Sequence, residues 1–263
     1  MKKRFTKFLS LVFALVLLFA LTACDSKLNA PNETSDIDGN IPTEKHLWLP
    51  STAINYEEGC KYTYDYNEYG NVIKTTKKNL NGNLKAVWLY EYDNNQNLIK
   101  RSVDTGDGSP FVQLIQTFDD HRRMVEQHNF TTSGETVYTF QYDAQDRLIS
   151  KSYVNELLEI YTYNEDGSYM AQSANDAEEY SLYGADGKIK ERHFAPNMKW
   201  VYSYTADGFL KECIAYSGEE ITNRTVNDLD ENGNIITVTE VSASGTERIL
   251  GEYEYQLYTV KVK

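Results

Sequence analysis

Val201 to Glu212 reads VYSYTADGFLKE: alternating aromatics, a short polar turn ending in Gly208, then an apolar residue. Taken alone, it suits an active-site loop as well as a hairpin. Its recurrence decides. With the aromatic before the turn as position zero, Tyr66, Tyr92, Phe118, Tyr142, Tyr163, Tyr183 and Tyr204 form a series that Leu229 continues and Tyr255 extends to the end of the chain. Four residues past zero stand Gly70, Gln96, Arg122, Asp146, Gly167, Gly187, Gly208 and Gly233. Six past stand Val72, Leu98, Met124, Leu148, Tyr169, Ile189, Leu210 and Ile235.

The spacing has a mechanical meaning. A three-residue hairpin loop built on a type I turn needs a left-handed residue at its third position, the conformation glycine takes most readily. Position zero then faces position six across two strands, a pair worth about 0.2–1 kcal/mol. Gln96, Arg122 and Asp146 should carry altered or strained turns. A second set of turn signals, such as NLNGN at Asn79 and SASGT at Ser242, lies between successive copies. No segment keeps a helical period. The expectation is an all-β antiparallel meander of about eight two-stranded hairpin repeats, roughly sixteen strands, forming a curled or spiralling sheet over 57–263.

The copies YEYDNNQNLIKRS (Tyr90 to Ser102), FQYDAQDRLISKS (Phe140 to Ser152) and YTYNEDGSYMAQS (Tyr161 to Ser173) resemble YD repeats of the RHS family. The family's large members, bacterial Rhs toxins, Tc-toxin shells and teneurins, coil many repeats into hollow shells. This chain has too few repeats to enclose much on that reading, and nothing follows the array that reads as a toxin. The resemblance is nearer to short YD-repeat lipoproteins of bacterial surfaces, and it implies the hairpin repeat rather than toxin delivery.

The N-terminus belongs to a different layer of organisation. Lys2, Lys3, Arg4 and Lys7 precede an apolar run from Phe8 to Ala20, and Leu21-Thr22-Ala23-Cys24 follows. This has the form of a signal peptide over 1–23 with a bacterial lipobox, and it marks Cys24 for lipidation. Residues 24–56, with three of the five prolines and no apolar period, read as a flexible tether, with Leu47-Trp48-Leu49 docking on the folded part. The expected location is the extracytoplasmic face of a bacterial membrane, held there by lipid. Removing residues 1–23 removes four cations and no acid, leaving 22 Lys and Arg against 39 Asp and Glu, a net charge of −17. Such a chain is repelled by phosphate backbones, which excludes nucleic acid as a partner.

Chemistry-bearing motifs are sparse. Asp228 to Ile235 imitates the start of a calcium loop, but Thr239 stands where the bidentate Glu belongs, and the segment lies in phase with the repeat turns. Asp36-Ile37-Asp38-Gly39 reads the same way. His46, His121, His128 and His193 form no metal-ligand spacing, so neither a metal nor another cofactor is expected, and no catalytic set emerges. Cys60 and Cys213 lie some twelve strands apart, so a disulfide would require the array to close or spiral.

The aromatic stripes remain. Tyr62, Tyr64 and Tyr66 alternate on one strand, as do Trp88, Tyr90 and Tyr92, and Trp200, Tyr202 and Tyr204. Residues two apart share a face. Each triplet is either sheet core or a platform for sugar rings. The functional expectation is a non-enzymatic binding or scaffold module for cell-wall or host glycan, or for a surface protein. The alternatives are an assembly factor engaging a partner through sheet edges, and a wall-polymer hydrolase.

Overall fold

A computed structural model describes residues 43–154 and 156–262. The signal segment, Cys24, the Asp36–Gly39 turn and the tether up to residue 42 lie outside the described residues. Eighteen strands follow one another along the chain. They are β1 (Glu44–Asn55), β2 (Cys60–Tyr66), β3 (Val72–Asn79), β4 (Leu84–Tyr92), β5 (Leu98–Asp104) and β6 (Phe111–Phe118). Next come β7 (Met124–Thr131), β8 (Gly134–Tyr142), β9 (Leu148–Tyr153), β10 (Glu156–Tyr163), β11 (Tyr169–Ser173) and β12 (Tyr180–Tyr183). The last are β13 (Ile189–Ala195), β14 (Met198–Tyr204), β15 (Leu210–Ser217), β16 (Glu220–Leu229), β17 (Ile235–Ser242) and β18 (Glu247–Lys261).

Each strand pairs antiparallel with the next, and β1 also pairs with β18. The result is a closed up-and-down barrel, which corrects the expectation of a curled or spiralling open sheet. Sixteen strands were expected; β1 and β18 complete eighteen. Residues 44–55 were read as the end of the tether, yet they form the closing strand, opposite residues 251–261.

The hairpin expectation holds in detail. All eight position-zero residues face their position-six partners, from Tyr66 opposite Val72 to Leu229 opposite Ile235. All eight residues at position four have positive φ, including Gln96 (68°), Arg122 (64°) and Asp146 (61°). The residue after zero caps the turn. Asp93, Asp119, Asp143 and Asp230 each accept two backbone amides at 2.8–2.9 Å, from the residues two and four further on. Arg123 and Arg147 bond back to those carboxylates and lie over the rings of Tyr142 and Tyr163 in the next repeat.

Tyrosine at position zero has its own reason. The hydroxyls of Tyr92, Tyr142, Tyr163 and Tyr204 donate to the carbonyls of Val72, Met124, Leu148 and Ile189 at 2.8–3.0 Å. Each acceptor is the position-six residue of the preceding repeat. Apart from β10–β11, each turn carries a register shift that interrupts the ladder, and the hydroxyl takes up the carbonyl beside it.

The closure follows the same rule. Pro50 stands opposite Tyr255, as a position-six residue stands opposite its zero, and its carbonyl accepts the Tyr66 hydroxyl at 2.7 Å. The last repeat is therefore split between the two ends of the chain. Beyond Pro50 and Tyr255 the β1–β18 ribbon continues. It seats Leu49 and Val260 in the interior, against the β2–β3 turn at Gly70.

Candidate functional site

Strand alternation, anchored by the buried side chains, assigns the two faces. The inner face carries the position-zero tyrosines and the residues two and four before them. Tyr62, Tyr64 and Tyr202 are buried, between 6 and 9% exposed. Tyr66, Trp88, Tyr90, Tyr92, Trp200 and Tyr204 are half-buried. The aromatic stripes thus line the inside of the barrel; they do not form a platform on its outer surface.

The barrel does not bring the three triplets together. Tyr62, Tyr64, Tyr66, Trp88 and Tyr90 join Ala53, Cys60, Val72, Val238, Leu250, Tyr253 and Tyr255 in one core along β17, β18 and β1 to β4. Trp200, Tyr202 and Tyr204 stand on β14, eight strands round the ring from β4. There Trp200 meets Phe194 edge-on at 4.5 Å, and the Tyr202 hydroxyl lies beside the Cys213 thiol, which burial pushes up to about 12. From β7 to β12 no described residue is fully buried. A second aromatic run on that wall, Tyr161, Tyr163, Tyr169 and Tyr183, stacks ring on ring, with Tyr169 and Tyr183 parallel at 4.4 Å.

Geometry explains the half-burial. Strand spacing of about 4.8 Å gives eighteen strands a perimeter of about 86 Å, and a circular section a backbone diameter of about 27 Å. Facing sheets whose side chains meet stand about 10 Å apart. On a circular section the inner face of the far wall borders open space and not a second layer, whereas the closing wall packs its inner side chains into one core. The expectation that so few repeats enclose little is overturned by closure.

Sequence reading missed the charges on this inner face. At one end, Glu58 takes the Tyr62 hydroxyl and the Lys77 ammonium, while Arg248 is held by Glu57 and Glu240. Deeper, Arg101 lies opposite Tyr90, Lys151 opposite Phe140 and Arg192 opposite Ser181. Each is nine residues past its position zero, a spacing that could have been read from the repeat.

The outer face is mixed. It carries the ion pairs Lys74–Asp65, Lys100–Glu91 and Arg224–Glu212 among exposed Leu89, Ile115 and Ile160. That is unlike the continuous apolar band of a lipid-facing barrel. The histidines take polar partners: Thr259 for His46, Asp146 for His121, Glu126 and Glu135 for His128, and Glu191 for His193. Among the described residues, no group of three His, Cys, Asp or Glu is placed to hold a metal. Asp230 is occupied by the amides of its own turn, and Asp228 pairs within a strand opposite Thr237. Cys60 and Cys213 are both free thiols. Five strand spacings separate β15 from β2 through the closure, about 24 Å of wall, so closing the ring does not bring them within bonding distance.

No protein-family model and no curated protein matches the chain. Among solved structures, TcdB2-TccC3 in the structure with Cdc42 matches 83% of this chain at 11% identity with a TM-score of 0.31, and this chain spans 13% of that one. A porin-like protein from Bacteroides uniformis ATCC 8492 matches 79% of this chain and 98% of its own at 12% identity, TM-score 0.40. Neither reaches 0.5, so neither defines a shared fold or function.

Proposed function

We propose that the protein is a bacterial lipoprotein, tethered at Cys24 to the extracytoplasmic face of a membrane, whose barrel binds a saccharide chain in its lumen. The observation that carries the reading is the inner aromatic surface: Trp88, Tyr90, Tyr92, Trp200 and Tyr204 are half-buried and line the inside of the barrel. Aromatic faces suit sugar rings, and tyrosine adds a hydroxyl for their polar edges. On this reading the chain is a short relative of the YD-repeat proteins, its repeats closed on themselves. The tether enters at Thr43, beside the repeat turns, where the residue 262 amide bonds the Thr43 carbonyl. A partner engaging sheet edges has less to hold, since ring closure leaves strand edges free only along the β1–β18 ribbon.

The test uses protein carrying Cys24→Ser and lacking residues 1–23, co-sedimented with protein-stripped cell wall. Pelleting that Trp200→Ala weakens and soluble saccharide competes away is expected. Pelleting that is indifferent to Trp200 and Trp88 moves the contact off the lumen, and no pelleting removes wall glycan as the ligand.

A further inference from the structure

The position nine past zero forms one level of the lumen. In seven of the eight repeats it holds Thr75, Arg101, Gln127, Lys151, Arg192, Cys213 and Val238; in β11, whose turn has no register shift, Ala171 takes the inward place opposite Tyr161. The level is divided. On the closing wall it is buried and uncharged, through Val238 and Thr75. Beyond that wall three of its residues are cations: Arg101 on β5, Lys151 on β9 and Arg192 on β13.

None of the three has a carboxylate within 4.0 Å among the described residues. Lys151 lies over the Tyr138 ring at 4.8 Å, and Arg192 over Phe194 at 4.8 Å. Arg101 has its Nε buried with no hydrogen-bond partner. Glu159 is the register partner of Lys151, but the Tyr161 hydroxyl donates to its carboxylate at 2.7 Å. Of the other inward acids, Glu58 and Glu240 are paired with Lys77 and Arg248, and exposed Glu156 stands at the rim opposite Tyr153.

This arrangement runs against the rest of the chain, which carries a net charge of −13 overall. Its other cations commonly sit on acids, as in the pairs of Arg123, Arg147 and Lys261. Three cations without an acid partner at one level, two of them over aromatic rings, make a place where an anion would be felt. Resting on the lumen reading above, we infer that the lumen selects an anionic saccharide chain, carboxylated or phosphorylated, with Arg101, Lys151 and Arg192 meeting its charges and the neighbouring rings its sugar faces.

The full chain in detergent is titrated calorimetrically with oligogalacturonate, with its methyl ester, and with poly(glycerol phosphate). At least one acidic chain binds, and it binds roughly ten-fold or more tightly than the uncharged ester. Affinity falls as salt rises. Arg101→Gln, Lys151→Gln and Arg192→Gln each weaken binding about three- to ten-fold and together abolish it. Lys211→Gln, at an exposed site, leaves it unchanged. The melting temperature holds in all five variants, since no ion pair is lost. Which acidic chain binds tells carboxylate from phosphate. Equal binding of acid and ester overturns the charge inference and leaves the lumen reading standing. Acid binding untouched by the triple substitution overturns it as well. Binding by none of the three probes overturns both readings.

Discussion

The barrel has two walls built from one repeat. The closing wall, β17 and β18 through β1 to β4, buries Val238, Tyr253, Tyr64, Ala53 and Leu250 almost completely. The wall from β7 to β12 has the same hairpins, the same tyrosine bonds and the same turn caps, yet buries none of its described residues fully. The shared features are backbone features, and they make the fold. The difference lies in the inward side chains between them. Small and apolar residues let six strands converge on one core, whereas Gln127 and Lys151 take the matching inward places on the opposite wall. Architecture and stability thus concentrate on one side, and the accessible inner surface on the other.

Truncation should expose that division most sharply. Tyr253→Ala removes the centre of the core and should cost about 3–5 kcal/mol in denaturant unfolding. Tyr161→Ala, on the far wall, should cost only about 1–2 kcal/mol. Equal losses would mean that the two walls are equally packed.

The turns come next, and they are common to both walls. Gly233 has φ of 81°, and a Cβ there would meet the Phe209 ring at 2.2 Å. Gly233→Ala should cost about 1–3 kcal/mol. Arg122 holds the same conformation with a full side chain, so Arg122→Gly should stabilise by about 0.5 kcal/mol. A gain at position 233 would show that the left-handed turn is dispensable.

Hydroxyls make a finer test. Tyr92→Phe removes the bond to the Val72 carbonyl and should cost about 0.5–1.5 kcal/mol. Tyr253→Phe removes a buried hydroxyl with no partner and should be neutral or slightly stabilising. Thermal melts of the two variants should move in different directions.

The smallest effect is acidic and touches both walls. The Arg123 guanidinium bonded to Asp119 holds its carboxyl below the usual range. At Asp143 and Asp230 burial pushes upward, but hydrogen bonds from the turn amides and neighbouring side chains outweigh it. A carboxyl lowered in the folded state contributes fully above its unfolded value, 3.8, and loses that contribution as pH falls through the lower folded value. The contribution of these carboxyls should be level from neutral pH to about 4 and fall below it. Asp119→Asn should flatten that fall, as melts across pH 2–5 would register.

The hairpins were legible because their determinants are local. Zero, four and six lie within one turn, and Tyr204, Gly208 and Leu210 already contain the rule. Closure was not legible, because its partners lie about two hundred residues apart: Thr52 Oγ1 bonds Glu254 at 2.6 Å. The strand that closes the ring also reads as tether. Pro50 and Ser51 interrupt it, and a register shift between Pro50 and Thr52 breaks its alternation. Pro50 bears no likeness to an apolar position six, yet its carbonyl does that residue's work. The inward cations were missed for a related reason. Their spacing of nine past zero is visible in the sequence, but the face they take follows from the register after each bulge.

The central claim is closure through the split repeat, and one distance tests it. Probes at Thr52 and Glu254, with Cys60 and Cys213 replaced, report on β1 against β18 by spin-label or fluorescence measurement. The closed barrel predicts neighbouring strands, about 5 Å between backbones and within about 20 Å between labels. An open sheet in the same strand order would hold them up to about 80 Å apart, and a distance of that order would contradict the account.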